Sequence, residues 1–66
     1  MLISGTERKN IKPGVRVNII QKPHQRTGQL TEGIVKDILT KSPVHHRGIK
    51  VRLENGIIGR VQEVLE

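Results

Sequence analysis

The clearest folding pattern in the chain lies in the segment Gly48-Ile-Lys-Val-Arg-Leu-Glu-Asn-Gly-Ile-Ile-Gly-Arg-Val61. Before its Asn55-Gly56 pair, apolar and polar residues alternate one by one, which is typical of a β-strand with one buried face. Asn-Gly is a common turn pair, and apolar residues resume after it. The stretch therefore predicts a β-hairpin.

The register of this hairpin follows from its inward positions. A two-residue turn would place Val51 opposite Arg60 and mix apolar with charged side chains. A three-residue loop over 54–56, with Gly56 as a left-handed bulge after a type I turn, places Val51 opposite Gly59 and makes every inward position apolar or Gly. The same register predicts a basic patch on the outer face, formed by Lys50, Arg52 and Arg60.

Four segments show strand patterns: 15–20, 33–39, 49–53 and 57–64. They contain an internal repeat, because residues 14–19 match 48–53 and residues 33–38 match 59–64 in their order of Gly, apolar and polar positions. Two strand pairs would then share one plan, although so short a repeat can also arise by coincidence. Val35 and Ile38 are three residues apart, so they share a face only if the strand bends between them.

The connections have the order long, medium and tight. Segment 21–32 joins the first two strands, segment 41–48 joins the middle two, and three residues join the last two. This order is that of SH3-like barrels, whose closure protects the sheet edges. We therefore expect residues 1–66 to form one all-β domain, a small SH3-like (KOW-type) barrel of four to five antiparallel strands, with residues 1–10 as a flexible N-terminal segment. A fifth strand could come from residues 1–3 or from residues 64–66.

The charge is strongly basic. Twelve Lys and Arg stand against six Asp and Glu, for a formal charge of +6. Such a surface attracts polyanions, so RNA, DNA or an anionic membrane face are candidate partner classes. The alternative is a basic excess without any binding role.

Several residue types are missing. The absence of Cys excludes disulfides, thiolate metal sites and thiol nucleophiles, and it fits a reducing compartment. The absence of Phe, Trp and Tyr excludes the aromatic platform on which single-stranded nucleic acids usually stack. No apolar run has the length of a signal-peptide core or a membrane span, so we expect a cytoplasmic protein with no membrane partner.

Nearly the whole chain resembles a known family. The resemblance rests on the segments Asn10-Ile-Lys-Pro-Gly14, Gln25-Arg-Thr-Gly28, Gly33-Ile-Val-Lys-Asp-Ile-Leu-Thr40, Gly48-Ile-Lys-Val-Arg-Leu53 and Gly59-Arg-Val61, together with the pairs Leu30-Thr31 and Ser42-Pro43. These resemble the YwbE family of small bacterial proteins of uncharacterised function, so membership would imply no particular chemistry.

A looser likeness concerns the fold. Lys12-Pro-Gly14 followed by Gly33-x-Val35-x-x-Ile38 is similar to the KOW-type motif of ribosomal proteins and transcription elongation factors. That resemblance implies an SH3-like barrel, a fold that in those proteins commonly touches RNA or protein partners.

Two constellations suggest other chemistry. His24, His45 and His46 could be metal ligands. Adjacent histidines on an extended segment point to opposite faces, however, and no carboxylate lies near them, so we expect loop histidines and no metal. Ser42, His45 and Asp37 could form a nucleophile-and-base arrangement, but the short loops offer no orienting third group. We therefore expect neither catalysis nor a cofactor.

The segment Gln25-Arg26-Thr27-Gly28 has two interpretations. It could present backbone amides and a guanidinium to a phosphate as an anion nest. Alternatively, it is ordinary turn chemistry, with Gly28 at positive φ and Thr27 as a cap. The sequence favours neither.

We expect a monomeric, non-enzymatic binding module that binds RNA or a ribonucleoprotein surface through a basic strand face and loops. Without aromatic rings, its contacts should be mainly to phosphate. The expected contact residues are Arg26, Lys36, Lys41, Arg47, Lys50, Arg52 and Arg60. The alternatives are a protein-protein interaction adaptor with no nucleic-acid role and a strand face that is merely solvated.

Overall fold

The computed structural model of the chain describes residues 3–65, with side chains from residue 5 onward. Its strands are β1 (Ile3–Ser4), β2 (Arg16–Ile20), β3 (Thr31–Ile38), β4 (Lys50–Leu53) and β5 (Ile58–Val64). Two short 3₁₀ helices, Arg8–Asn10 and Lys22–His24, lie in the connections. The four predicted strands are therefore present, with ends that differ by one or two residues.

The sheet closes on itself. Its strand order is β1-β5-β2-β3-β4, and β4 also pairs with β5. All of these pairings are antiparallel. The prediction of an all-β, small SH3-like barrel is confirmed. Within residues 3–65, no helix is long and apolar enough to cross a membrane.

The inward positions of the strands make the core. Alternation along β4 buries Val51 and Leu53 and exposes Lys50 and Arg52. Among the described side chains, the buried residues of the core are Ile11, Val17, Ile19, Val35, Ile49, Val51, Leu53, Val61 and Val64. Because this core is entirely apolar, the charged side chains are left for the outer surface.

The hairpin formed by β4 and β5 has the predicted three-residue loop. Val51 lies opposite Gly59, and the Leu53 N–H donates to the Ile57 carbonyl at 2.8 Å. Gly56 has a φ of +88°, the left-handed conformation that the bulge requires. The register argument from apolar inward positions is confirmed.

The internal repeat is present in the register of the sheet. Val17 lies opposite Gly33 in β2 and β3, as Val51 lies opposite Gly59 in β4 and β5. The Val35 N–H donates to the Val15 carbonyl at 2.9 Å, and the matching bond from Val61 to Ile49 is 2.8 Å.

The remaining two seams repeat as well. Asn18 lies opposite Glu63 between β2 and β5, as Arg52 lies opposite Asp37 between β4 and β3. The register shifts at matching places, and one of these shifts, between Val35 and Asp37, is the predicted bend of β3. The barrel therefore has an approximate two-fold arrangement that exchanges β2 with β4 and β3 with β5.

The N-terminal segment supplies the fifth strand. Ile3 pairs with Val64 and Ser4 with Glu63. Further along, the Ile49 N–H donates to the Gly5 carbonyl at 2.9 Å. The flexibility expected of residues 1–10 stays a prediction. Residues 1 and 2 lie outside the described residues, and within residues 3–8 backbone groups pair with β5 and with the connection between β3 and β4.

Candidate anion-binding groove

A concave surface lies where the outer face of the β4–β5 hairpin meets the connection that follows β2. It consists of two adjoining depressions of about 470 Å³ and about 380 Å³, which share Ile20, Gln25, Arg47 and Arg60. We call this surface the basic groove. Its complete lining is Ile20, Gln21, Lys22, Pro23, Gln25, Arg47, Lys50, Ile58, Gly59, Arg60 and Gln62.

Strand register positions two of its cations. Lys50 lies opposite Arg60, and both point outward because their neighbours Val51, Gly59 and Val61 are buried. The Arg60 Nη1 donates to the Gly48 carbonyl at 3.1 Å, which holds this guanidinium along the hairpin. Two positive charges therefore lie side by side on adjacent strands.

A tight turn positions the third cation. The Gly48 N–H donates to the His45 carbonyl at 2.9 Å, and Gly48 has a φ of +102°. Within the turn, the Arg47 N–H donates to His45 Nδ1 at 3.2 Å. Arg47 is exposed at the end of this turn, next to Arg60 in the lining of both depressions.

The fourth cation, Lys22, was not among the predicted contact residues. It opens the 3₁₀ helix that follows β2, with Pro23 in the first turn. The pairing of Ile20 with Arg60 brings this helix beside the hairpin. The internal repeat could have predicted this position of Lys22. It implies that β2 pairs with β5 as β4 pairs with β3, and that pairing places the residues after β2 beside the hairpin.

The groove cations lack acidic partners. Among the described residues the ion pairs are Lys9 with Glu7 at 3.6 Å, Arg16 with Glu32 at 3.5 Å, and Arg52 with Asp37 at 2.7 Å. None of these pairs involves a groove cation, and no Asp or Glu is in the groove lining. The four positive charges of the groove are therefore uncompensated within residues 5–65.

The two-fold arrangement provides an internal comparison. The position equivalent to Lys50 is Arg16, which is paired with Glu32, and the position equivalent to Arg60 is the apolar Ile34. On that second face, the side chains at positions equivalent to the strand residues of the groove lining are Arg16, Glu32, Ile34, Lys36 and Glu54. Two basic and two acidic side chains balance there, so the same backbone carries a neutral face on one side and a cationic face on the other.

The structure brings together three of the seven predicted contact residues, namely Arg47, Lys50 and Arg60. Arg52 lies on the same strand but donates from Nε and Nη2 to the Asp37 carboxylate at 3.0 Å and 2.7 Å. The other three lie outside the groove lining: Arg26 is exposed in the turn next to Gln25, Lys36 is on the bulge of β3, and Lys41 is in the connection after β3. Their roles in binding stay predictions.

The turn at residues 25–28 follows ordinary turn chemistry. The Gly28 N–H donates to the His24 carbonyl at 2.9 Å, and Gly28 has a φ of +75°. Thr27 Oγ1 donates to the same carbonyl at 3.2 Å and accepts from the Gln29 N–H at 3.4 Å. These bonds support the interpretation as a capped turn, because they occupy the Gly28 amide that an anion nest would use.

The adjacent histidines depart from the expectation. His45 and His46 do not point to opposite faces; their rings are stacked, with centroids 5.4 Å apart and planes within 5°. The reason is that residues 45–48 form a turn and not an extended segment. No group of three His, Asp or Glu side chains in the described part of the chain could hold a metal ion.

Desolvation lowers the pKa of His45 below its ordinary value of 6.5, and the positive charge of Arg60, then His46 and Arg47, lowers it further. Desolvation is the largest cause, and the two groove arginines add to the shift because they disfavour a further positive charge beside them.

Comparison with known proteins places the chain in a family. The family model described as "Uncharacterized conserved protein (DUF2196)" matches residues 4–64. The "Uncharacterized protein YwbE" of Bacillus subtilis (strain 168) is 56% identical over 63 residues, which cover 96% of this chain and 97% of that protein. No solved structure matches the chain. On the strength of that match along nearly its whole length, this barrel with one cationic face belongs to the YwbE family.

Proposed function

We propose that this protein is a non-enzymatic, cytoplasmic binding module that acts as a monomer and holds RNA in the basic groove, free or on the surface of a ribonucleoprotein. The observation that carries the proposal is the convergence of Lys22, Arg47, Lys50 and Arg60 on one concave surface whose lining contains no carboxylate. Closely spaced cations without acidic partners favour a polyanion, whose phosphates replace the missing counter-charges.

The neutral second face strengthens this interpretation. If the positive charge were only a general feature of a basic protein, the equivalent backbone positions would carry it equally. Instead, Glu32 neutralises Arg16 on that face, and Ile34 occupies the position of Arg60. The concentration of charge in one groove supports a binding surface in place of a merely solvated strand face.

Phosphate contacts predict a characteristic salt dependence. For single strands, log K falls with log salt with a slope of about −0.7 per phosphate neutralised, so four contacts correspond to a loss of roughly fiftyfold between 50 and 200 mM salt. Affinity should vary little with sequence where phosphates are the main contacts. Fluorescence anisotropy with labelled RNA, measured at several salt concentrations, yields this slope.

A matched pair of variants locates the binding face. Lys50→Gln and Arg16→Gln each remove one positive charge from equivalent positions of the barrel. Lys50→Gln should weaken RNA binding about fivefold, the upper end of what one exposed ion pair contributes, about 1 kcal/mol. Arg16→Gln should change binding less than about twofold, because Arg16 lies outside the groove lining and its charge is already paired with Glu32.

The outcomes separate the two candidate functions. Equal effects of the two variants, or an affinity that does not change with salt, would contradict binding in the groove. No RNA binding at all, together with a co-purified protein that survives nuclease and high salt, would instead identify a protein-protein interaction adaptor.

A further inference from the structure

We propose that the smaller depression of the basic groove receives one unpaired nucleobase, so that the RNA it binds is single-stranded. This depression, of about 380 Å³, is lined by Ile20, Gln25, Arg47, Arg60 and Gln62. Its volume lies within the range of roughly 300–1,000 Å³ that is usual for pockets that bind small ligands. The inference rests on the proposed function and adds the form of nucleic acid that the groove selects.

Gln62 supplies the first argument. Its Nε2 donates to the Arg47 carbonyl at 3.3 Å and to the Arg60 carbonyl at 3.4 Å. Two carbonyl acceptors on one side require the amide nitrogen to face them, and the amide oxygen Oε1 therefore faces away from both. The Gln62 amide is held in a defined orientation across the pocket wall.

The Gln62 amide oxygen, a hydrogen-bond acceptor, cannot contribute to phosphate binding. Phosphate oxygens accept hydrogen bonds, and Arg47 and Arg60 provide the donors that they need. The amide oxygen of Gln62 can instead accept from a ligand that also carries N–H donors. A nucleotide has both kinds of group, with acceptors on its phosphate and N–H donors on the edge of its base.

The apolar part of the pocket points the same way. Ile20 is half-buried in the lining of both depressions, and the neighbouring Ile58 of the larger one remains 42% exposed. A charged phosphate gains nothing from such surface, whereas the flat face of a base can cover it. Exposed Arg47 offers a guanidinium plane on which a base can stack, a mode that needs no aromatic residue.

The base must be unpaired to reach these groups. Watson–Crick pairing occupies the ring N–H donors and one hydrogen of each exocyclic amine, and stacking in a duplex covers the faces of the bases. Sequence-specific recognition of RNA is accordingly directed mainly at single-stranded loops, bulges and ends. Duplex RNA would engage the cations through phosphates and leave the pocket unused.

The decisive experiment compares two ligands of equal charge on the unaltered protein. Anisotropy titrations would use a labelled RNA hexamer and a hexamer of the same length whose backbone carries no bases. The intact strand should bind about tenfold tighter, equivalent to about 1.4 kcal/mol. Equal affinities would overturn the base pocket and leave the proposed function standing, whereas no binding of either strand would overturn both.

A variant assigns the effect to the pocket. Gln62→Ala should remove most of the preference for the intact strand and leave the affinity for the base-free strand unchanged, since no charge is lost. Gln29→Ala is the matched control, an exposed glutamine outside the groove lining, and should preserve the preference. Circular dichroism checks that both variants fold. A folded Gln62→Ala protein that kept the full preference would refute the assignment.

Discussion

The two-fold arrangement permits a matched test of how Gly48 holds the hairpin together. Gly48 and Gly14 occupy equivalent positions before β4 and β2, with φ values of +102° and +95°. Their surroundings differ. A Cβ at Gly48 would overlap the Val61 carbonyl oxygen, whereas a Cβ at Gly14 would have nothing within 4 Å.

The magnitudes follow from that difference. Gly14→Ala should cost only the conformational penalty of an alanine at positive φ, about 1–2 kcal/mol. Gly48→Ala carries the same penalty and must also displace the backbone of β5, because the oxygen it meets belongs to the main chain. We expect a total of about 3–5 kcal/mol, the range of severe core substitutions.

Urea unfolding followed by far-UV circular dichroism measures both variants, since the chain has no Trp or Tyr for fluorescence. A domain of 66 residues is expected to have a free energy of unfolding of roughly 3–10 kcal/mol. Gly48→Ala should therefore be largely unfolded or close to it, and Gly14→Ala should remain folded. Stabilities of the two variants that agree within about 0.5 kcal/mol, the usual size of surface effects, would show that the Val61 carbonyl does not restrict position 48.

Two further predictions concern pH and packing. Because the pKa of His45 is lowered in the folded protein, the unfolded chain binds more protons, so stability should fall as the pH drops from about 6.5 through the folded pKa. Urea titrations across this range should give a slope of unfolding free energy against pH that His45→Gln reduces. An unchanged slope would contradict the assignment to His45. A Cβ at Gly33 would lie 2.5 Å from Leu53 Cδ1. Gly33→Ala should therefore destabilise the Leu53→Ala variant much less than it destabilises the unaltered protein. A double-mutant cycle with additive effects would count against that contact.

The basic groove illustrates how a fold can leave its surface chemistry open. Both faces of the two-fold arrangement have the same strand register, yet one combines Arg16 with Glu32 and the other combines Lys50 with Arg60. Register determines which side chains are neighbours, and the residue types at those positions determine whether the neighbours cancel or add their charges. Only the face with Lys50 and Arg60 has the charge of an anion-binding surface.

Local patterns in the sequence were sufficient for the strands and for the register of the last hairpin. Alternation and turn chemistry act over a few residues, so Lys50 and Arg60 could be predicted as neighbours, as could the bend after Val35. The expectation that His45 and His46 point in opposite directions was wrong, because it assumed an extended segment. The chain instead turns there, with the Gly48 N–H donating to the His45 carbonyl, and the two rings stack.

The remaining parts of the site depend on contacts between distant residues. Lys22 approaches the hairpin only because β2 pairs with β5, and Gln62 is oriented only by carbonyls of Arg47 and Arg60. The barrel-forming strand pattern and the positive charge can be read from the amino-acid sequence, since both follow from residue types and short-range periodicity. Which of those charges share a groove depends on the folded chain, because barrel closure and loop paths bring together residues that are far apart in the sequence.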